Sequence, residues 1–218
     1  MQSFLRSVMV WVACVMGMAL LSPLAAQAPV HEQALEGSAN LYNLDRDARV
    51  GGIEIRGRIG KAVANEAVKL LRSIRPDVDE LTVFLSSPGG DVFAAIELGE
   101  EIRRLWALTS VDDDEECFGA CVLVLAAGVR RTPASKNVGL QRMSFAQKDV
   151  AKKVEAYLFR MGMPKKLFQE IAAQQSSNKL RLLDSGRLKA LGLEGIDPAY
   201  EQWLRANENQ ERSPSNRE

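Results

Sequence analysis

Residues 117–128 read CFGACVLVLAAG: two cysteines four apart, a glycine between them, then an unbroken apolar run closed by a second glycine. The run reads as a buried helix from about Gly119 to Ala127. Upstream of it lie DDDEE at 112–116, an acidic loop, and Leu108 to Val111, a short strand. Further back, Asp91 to Leu105 places Val92, Ala95, Ile96, Leu98 and Ile102 on one inward stripe, with Asp91 able to cap the helix. LTVFLSS at 81–87 is a dense apolar strand that Pro88-Gly89-Gly90 ends abruptly. Before that, AVANEAVKLLRSI carries Val63, Ala67, Leu70, Leu71 and Ile74 on a helical stripe stopped by Pro76, and IEIRGRI at 53–59 alternates like a half-buried strand. Strand, helix, strand, helix in that order predicts an α/β fold, a mostly parallel sheet flanked by helices, because parallel strands need crossovers of about this length. Ligands in such folds sit at the carboxyl ends of the strands, where SSPGGD (86–91) and DDDEECFGA (112–120) fall.

Downstream, weaker strands are expected near Arg131 and Met143. Lys148 to Arg160 reads as an amphipathic helix, its stripe made by Val150, Val154, Tyr157, Leu158 and Met161. Core packing explains such a stripe more readily than a partner does, and a small homo-oligomer stays open. Shorter helices follow at about 164–175 and 184–191. The ends differ in character. MQSFLR, then an apolar run at 7–21, then SPLAAQA read as a signal peptide over 1–28, which implies a periplasmic or secreted protein; the alternative is an uncleaved N-terminal membrane anchor. Residues 29–48 read as a polar leader, 49–200 as the folded domain and 201–218 as a disordered polar tail.

Charge narrows the function further. Lys plus Arg, at 28, equals Asp plus Glu, so no basic field exists to hold nucleic acid. With the leader removed, only Cys117 and Cys121 remain, and in an oxidising compartment a close pair is a disulfide candidate, two free thiols being the alternative. A metal site is not expected: C-x3-C lacks a nearby histidine, and DDDEE lacks the spaced ligands of a calcium loop. No cofactor is called for. A solvated acidic turn that rims a cleft would favour cationic peptide segments.

The glycines of SSPGGD leave backbone N–H groups unshielded, able to donate to a carbonyl oxygen that approaches closely, although the same residues also make a plain turn. The spacing to the other motifs is more specific. G-R-I at 57–59, S-S-P-G-G-D at 86–91, C-F-G-A-C-V-L-V-L-A-A-G at 117–128 and the closing LDSGRLKALGLEG at 183–195 together resemble the proteolytic subunit of Clp-type serine proteases. The likeness is closer to secreted relatives that carry C-x-S-x-C. It implies a ClpP/crotonase-like fold of stacked ββα units with an oxyanion hole of backbone N–H groups, here from the loop of Ser87, Gly89 and Gly90 with Ala120.

In that family the nucleophilic serine stands nine residues before the glycine of A-A-G, which is Gly119 here. The catalytic histidine follows in a G-x-H pattern, and the matching run Gly139-Leu140-Gln141 puts Gln141 at the base position; the third triad member falls at Asn178. Glycine has no oxygen to attack with, and a glutamine amide neither takes nor returns a proton near neutral pH. The resemblance therefore implies a pseudo-peptidase that binds an extended peptide or protein segment, with no ATPase partner. One alternative is a hydrolase with another nucleophile: Ser86 or Ser87 with Lys61, a cysteine thiol, or help from His31, the only histidine. The second is a crotonase-like acyl-thioester enzyme using Glu97 or Glu115.

Overall fold

A computed structural model describes residues 36–143 and 149–211, and strand β3 (Glu80–Ser86) runs through its main sheet. Leu81, Val83 and Leu85 are buried while Thr82, Phe84 and Ser86 are half-buried, the period of two that a pleated strand imposes. β3 pairs in parallel with β2 (Val50–Arg56) and β4 (Leu108–Val111), and β4 in turn with β6 (Arg130–Pro133). Both edges are antiparallel: β1 (Ser38–Asp45) lies on β2 and β9 (Gly195–Ile196) on β6. A smaller sheet joins β5 (Cys117–Phe118), β7 (Val138–Leu140) and β8 (Arg181–Leu182), with β5 and β7 parallel. The α/β architecture with a mostly parallel sheet is thus as the element order led us to expect.

Helix α1 (Lys61–Ile74) packs on β1 and β2, and α2 (Val92–Arg104) lies between α1 and α3 (Cys121–Ala127). All seven residues of α3 are fully buried. Its two valines are indifferent helix formers and no side chain caps it, so burial holds the helix: Val122, Leu123, Val124 and Leu125 contribute about 1.5–3 kcal/mol each. Asp91 caps α2 as predicted, its carboxylate accepting from Ala94 N at 2.7 Å. α4 (Val150–Arg160) packs on α5 (Lys165–Gln174), and α6 (Ser185–Ala190) and α7 (Pro198–Glu211) follow. The whole α4 stripe, Val150, Val154, Tyr157, Leu158 and Met161, is buried in this chain's own core.

Four expectations are corrected. Residues 38–45, read as polar leader, form β1; SANLYNLD reads polar because an edge strand needs one hydrogen-bonded neighbour and leaves most of its side chains in water. Its Tyr42 ring packs on Phe84 at 4.6 Å between centroids. The strand placed near Met143 lies upstream, at 138–140, and the strand placed at 53–59 runs over 50–56. Residues 201–211, read as disordered tail, continue α7; Trp203 there stacks on Tyr200 with centroids 5.8 Å apart. The signal-peptide residues, His31 and residues 212–218 lie outside the described residues. Among the described residues no helix is long and apolar enough to cross a membrane.

Candidate functional site

Where β3 ends, the chain does not turn back at once. Ser87 stays beside β5: its N–H donates to Glu116 O at 2.6 Å and its carbonyl accepts from Phe118 N at 3.0 Å. Pro88 follows, and then Gly89 (φ +106°) and Gly90 (φ +153°) take a backbone that disfavours any side chain. They run against Ile59, whose N–H donates to Gly89 O at 2.9 Å and whose carbonyl accepts from Asp91 N at 2.7 Å. The approach is so close that a Cβ on Gly90 would sit 2.2 Å from Ile59 O. A Cβ on Gly89 would stand 2.8 Å from Phe118 O and 3.2 Å from Ala120 N, closing the space in front of the start of α3.

Opposite lies the loop between β5 and α3. Cys117 and Cys121 are joined by a disulfide with Cα atoms 5.2 Å apart, closing a short ring around Gly119. Gly119 takes φ +56°, and its N–H donates to Gly139 O at 3.2 Å. Gln141, one residue past β7, reaches across the mouth and donates from Nε2 to Pro88 O at 2.5 Å. A Cβ on Gly119 would lie 2.9 Å from Gln141 Nε2 and 3.0 Å from Cγ. Gly89, Gly119 and Gln141 therefore lie together, a Cβ on Gly89 standing 3.4 Å from Gln141 Nε2.

The oxyanion-type set is narrower than expected. The Ser87 N–H is spent on β5, and the Gly89 N–H donates to Ser87 Oγ at 3.1 Å. Gly90 and Ala120 retain N–H groups with no acceptor among the described residues. Asn178 does not join: it is exposed and accepts from Arg142 Nη1 at 3.3 Å, so it touches the neighbour of Gln141 rather than Gln141 itself. Gln175, which sequence reasoning missed, holds the backbone here through Oε1, accepting from Met143 N at 3.1 Å.

The other candidates fare as follows. Ser87 is fully buried, with its hydroxyl committed to the Gly89 backbone, and Lys61 is exposed. Both thiols are in the disulfide. Glu115 is held by Arg56, which donates to it from both Nη1 and Nη2 and, with Ser86, keeps its carboxyl below the usual carboxylate range; that makes it a weak base. Glu97 lies exposed on α2. Among the described residues no group of three or more His, Cys, Asp or Glu is placed to hold a metal ion.

Crevice, stacked strands and covering helices define a ClpP-like fold. Two solved structures carry that statement: ClpP1 from Listeria monocytogenes, with TM-score 0.53 and 17% identity over 70% of this chain and 93% of that one, and the ClpP protease catalytic domain from Plasmodium falciparum, with TM-score 0.53 and 15% identity over 70% of this chain and 84% of that one. No family model and no curated protein matches the sequence. At such identities the likeness is one of fold, and activity has to be argued from the site.

Proposed function

We propose that this chain is an exported, catalytically inactive Clp-protease-like protein that binds an extended peptide or protein segment in the glycine-lined crevice. The observation that carries the reading is the pair Gly119 and Gln141. One supplies no oxygen, and the other, its amide turned to Pro88 O, fills the space a side chain at 119 would need. Loss of nucleophile and base from a comparable triad costs roughly 10⁶ in turnover. What remains is recognition: the N–H groups of Gly90 and Ala120 are free to donate to carbonyl oxygens of a segment laid alongside, the hydrogen-bonding half of strand addition. Export rests on the N-terminal sequence and is consistent with the Cys117–Cys121 disulfide, since such bonds persist in oxidising compartments.

The test is labelling of the purified protein with a fluorophosphonate probe. No labelling is expected; a covalent adduct on any serine would overturn the reading in favour of an unorthodox hydrolase. A second experiment checks the register. In Gly119→Ser with Gln141→His, peptidase activity that neither single substitution shows would place residues 119 and 141 at the reacting centre.

A further inference from the structure

Phe118 belongs to two surfaces. Its carbonyl faces the crevice, 2.8 Å from where a Gly89 Cβ would be, and its ring turns the other way along the smaller sheet. There it meets Leu180 and Leu182 over Gly139: a Cβ on that glycine would lie 2.6 Å from Leu180 Cδ1, 3.1 Å from Phe118 Cδ1 and 3.3 Å from Leu182 Cδ2. Val138 and Leu140 point into the core, so Gly139 and Gln141 share the opposite face. The apolar floor thus lies on the face of β7 that also carries Gln141, and this floor is open. Leu180 is 42% exposed and Leu182 51%, in a cleft of about 490 Å³.

One wall of that cleft is the acidic loop, Asp113 to Glu116; among the described residues Lys136 is the only cation lining it. Of the four acids, Glu115 is neutralised by Arg56. Asp113, Asp114 and Glu116 are exposed and make no ion pair among the described residues. The loop is not slack: Asn137 Nδ2 donates to the carbonyls of Asp112 and Asp113, at 3.1 Å for the first. A held wall of unpaired carboxylates beside exposed leucines is a poor arrangement for an isolated surface. It is complementary to a ligand that is aliphatic on one side and cationic on the other.

We infer that the segment bound at this site alternates aliphatic residues with Lys or Arg, the aliphatic side chains seated on Phe118, Leu180 and Leu182 and the cations against Asp113, Asp114 and Glu116. The inference rests on the peptide-binding reading above and adds the ligand's chemistry to it. In an extended segment successive side chains point to opposite sides, so one face on the floor turns the alternate residues to the rim. Charge on the rim also speeds encounter, and salt weakens it.

The test uses fluorescein-labelled octapeptides of alternating Leu/Lys, Leu/Glu and Ser/Lys, measured by anisotropy with the mature protein. Leu/Lys is expected to bind at least about tenfold more tightly than either control. Asp113→Asn with Asp114→Asn and Glu116→Gln should erase the preference for Leu/Lys over Leu/Glu. Leu180→Ser with Leu182→Ser should instead erase the preference over Ser/Lys, and because all five side chains are exposed, circular dichroism should show both variants folded. Equal binding of the three peptides, or a preference that survives the neutralised loop, overturns the inference and leaves the peptide-binding reading standing. Binding by none of them overturns both.

Discussion

Gly99 on α2 and Gly119 before α3 each face a side chain from a later part of the chain, and the two neighbours differ in kind. A Cβ on Gly99 would lie 1.8 Å from Tyr157 Oη and 2.8 Å from its Cζ. That ring is fully buried, and its hydroxyl donates to Leu123 O at 2.7 Å. Burial also pushes the hydroxyl's pKa well up, so it stays a donor. The space at Gly99 is demanded by packing, since α2 and α4 can meet only across a missing side chain. At Gly119 the neighbour is the end of a half-buried amide, Gln141 Nε2 at 2.9 Å, which can swing aside. Only the left-handed backbone, φ +56°, favours glycine there. The comparison separates a glycine that packing demands from one that its backbone conformation favours.

Three measurements can break or sharpen that contrast. Gly99→Val should cost the most, about 3–4 kcal/mol, because the added carbons must displace a buried, hydrogen-bonded ring. A thermal melt within a degree or two of the parent would end the packing account. Gly119→Ser should cost about 2 kcal/mol, part from a non-glycine residue at positive φ and part from moving Gln141. Adding Gln141→Ala should return roughly half of that cost, a coupling that a double-mutant cycle in urea would reveal; strict additivity would show that the two residues do not contend for the same space.

The smallest expected effect, a control on the same helix, comes from Glu101. Its buried carboxylate accepts from Arg104 and Arg72, and those two guanidinium groups hold its pKa at about 2 against an ordinary 4.5. A depressed folded-state pKa means the stabilisation is complete above pH 4.5 and is lost as pH falls toward 2. Both arginines are more than half exposed, so solvent screens the pair. Glu101→Gln should cost about 1 kcal/mol at neutral pH and flatten the acid limb of the stability profile. An unchanged acid limb would remove Glu101 from the account of this helix.

Much of the fold was legible because its signals are local. Asp91 before an apolar stripe announces a capped helix, Pro88-Gly89-Gly90 announces the end of β3, and the period of LTVFLSS announces a strand. β1 was missed for a physical reason: its order comes from hydrogen bonds to β2, which leave little trace in side-chain polarity. The same holds for α7, whose aromatic contacts with Trp106 join residues distant in the sequence. At the site, Gly119 and Gln141 could be found by counting along the chain, and they meet in the structure. Asn178, placed by a looser count, pairs with Arg142 instead.

By itself the sequence determined the succession of strands and helices, the cysteine pair, and the absence of a hydroxyl and an imidazole at positions 119 and 141, because residue identity and hydrophobic period are carried by neighbours in the chain. Only the tertiary structure decided which backbone donors stay unspent. Ser87 gives its N–H to Glu116 and Gly89 gives its own to Ser87 Oγ, so among the described residues Gly90 and Ala120 are left with unspent N–H groups. It also decided that Phe118, Leu180 and Leu182 converge over Gly139 beside the acidic loop. Both outcomes depend on segments far apart in sequence lying side by side, and composition and period carry no record of that proximity.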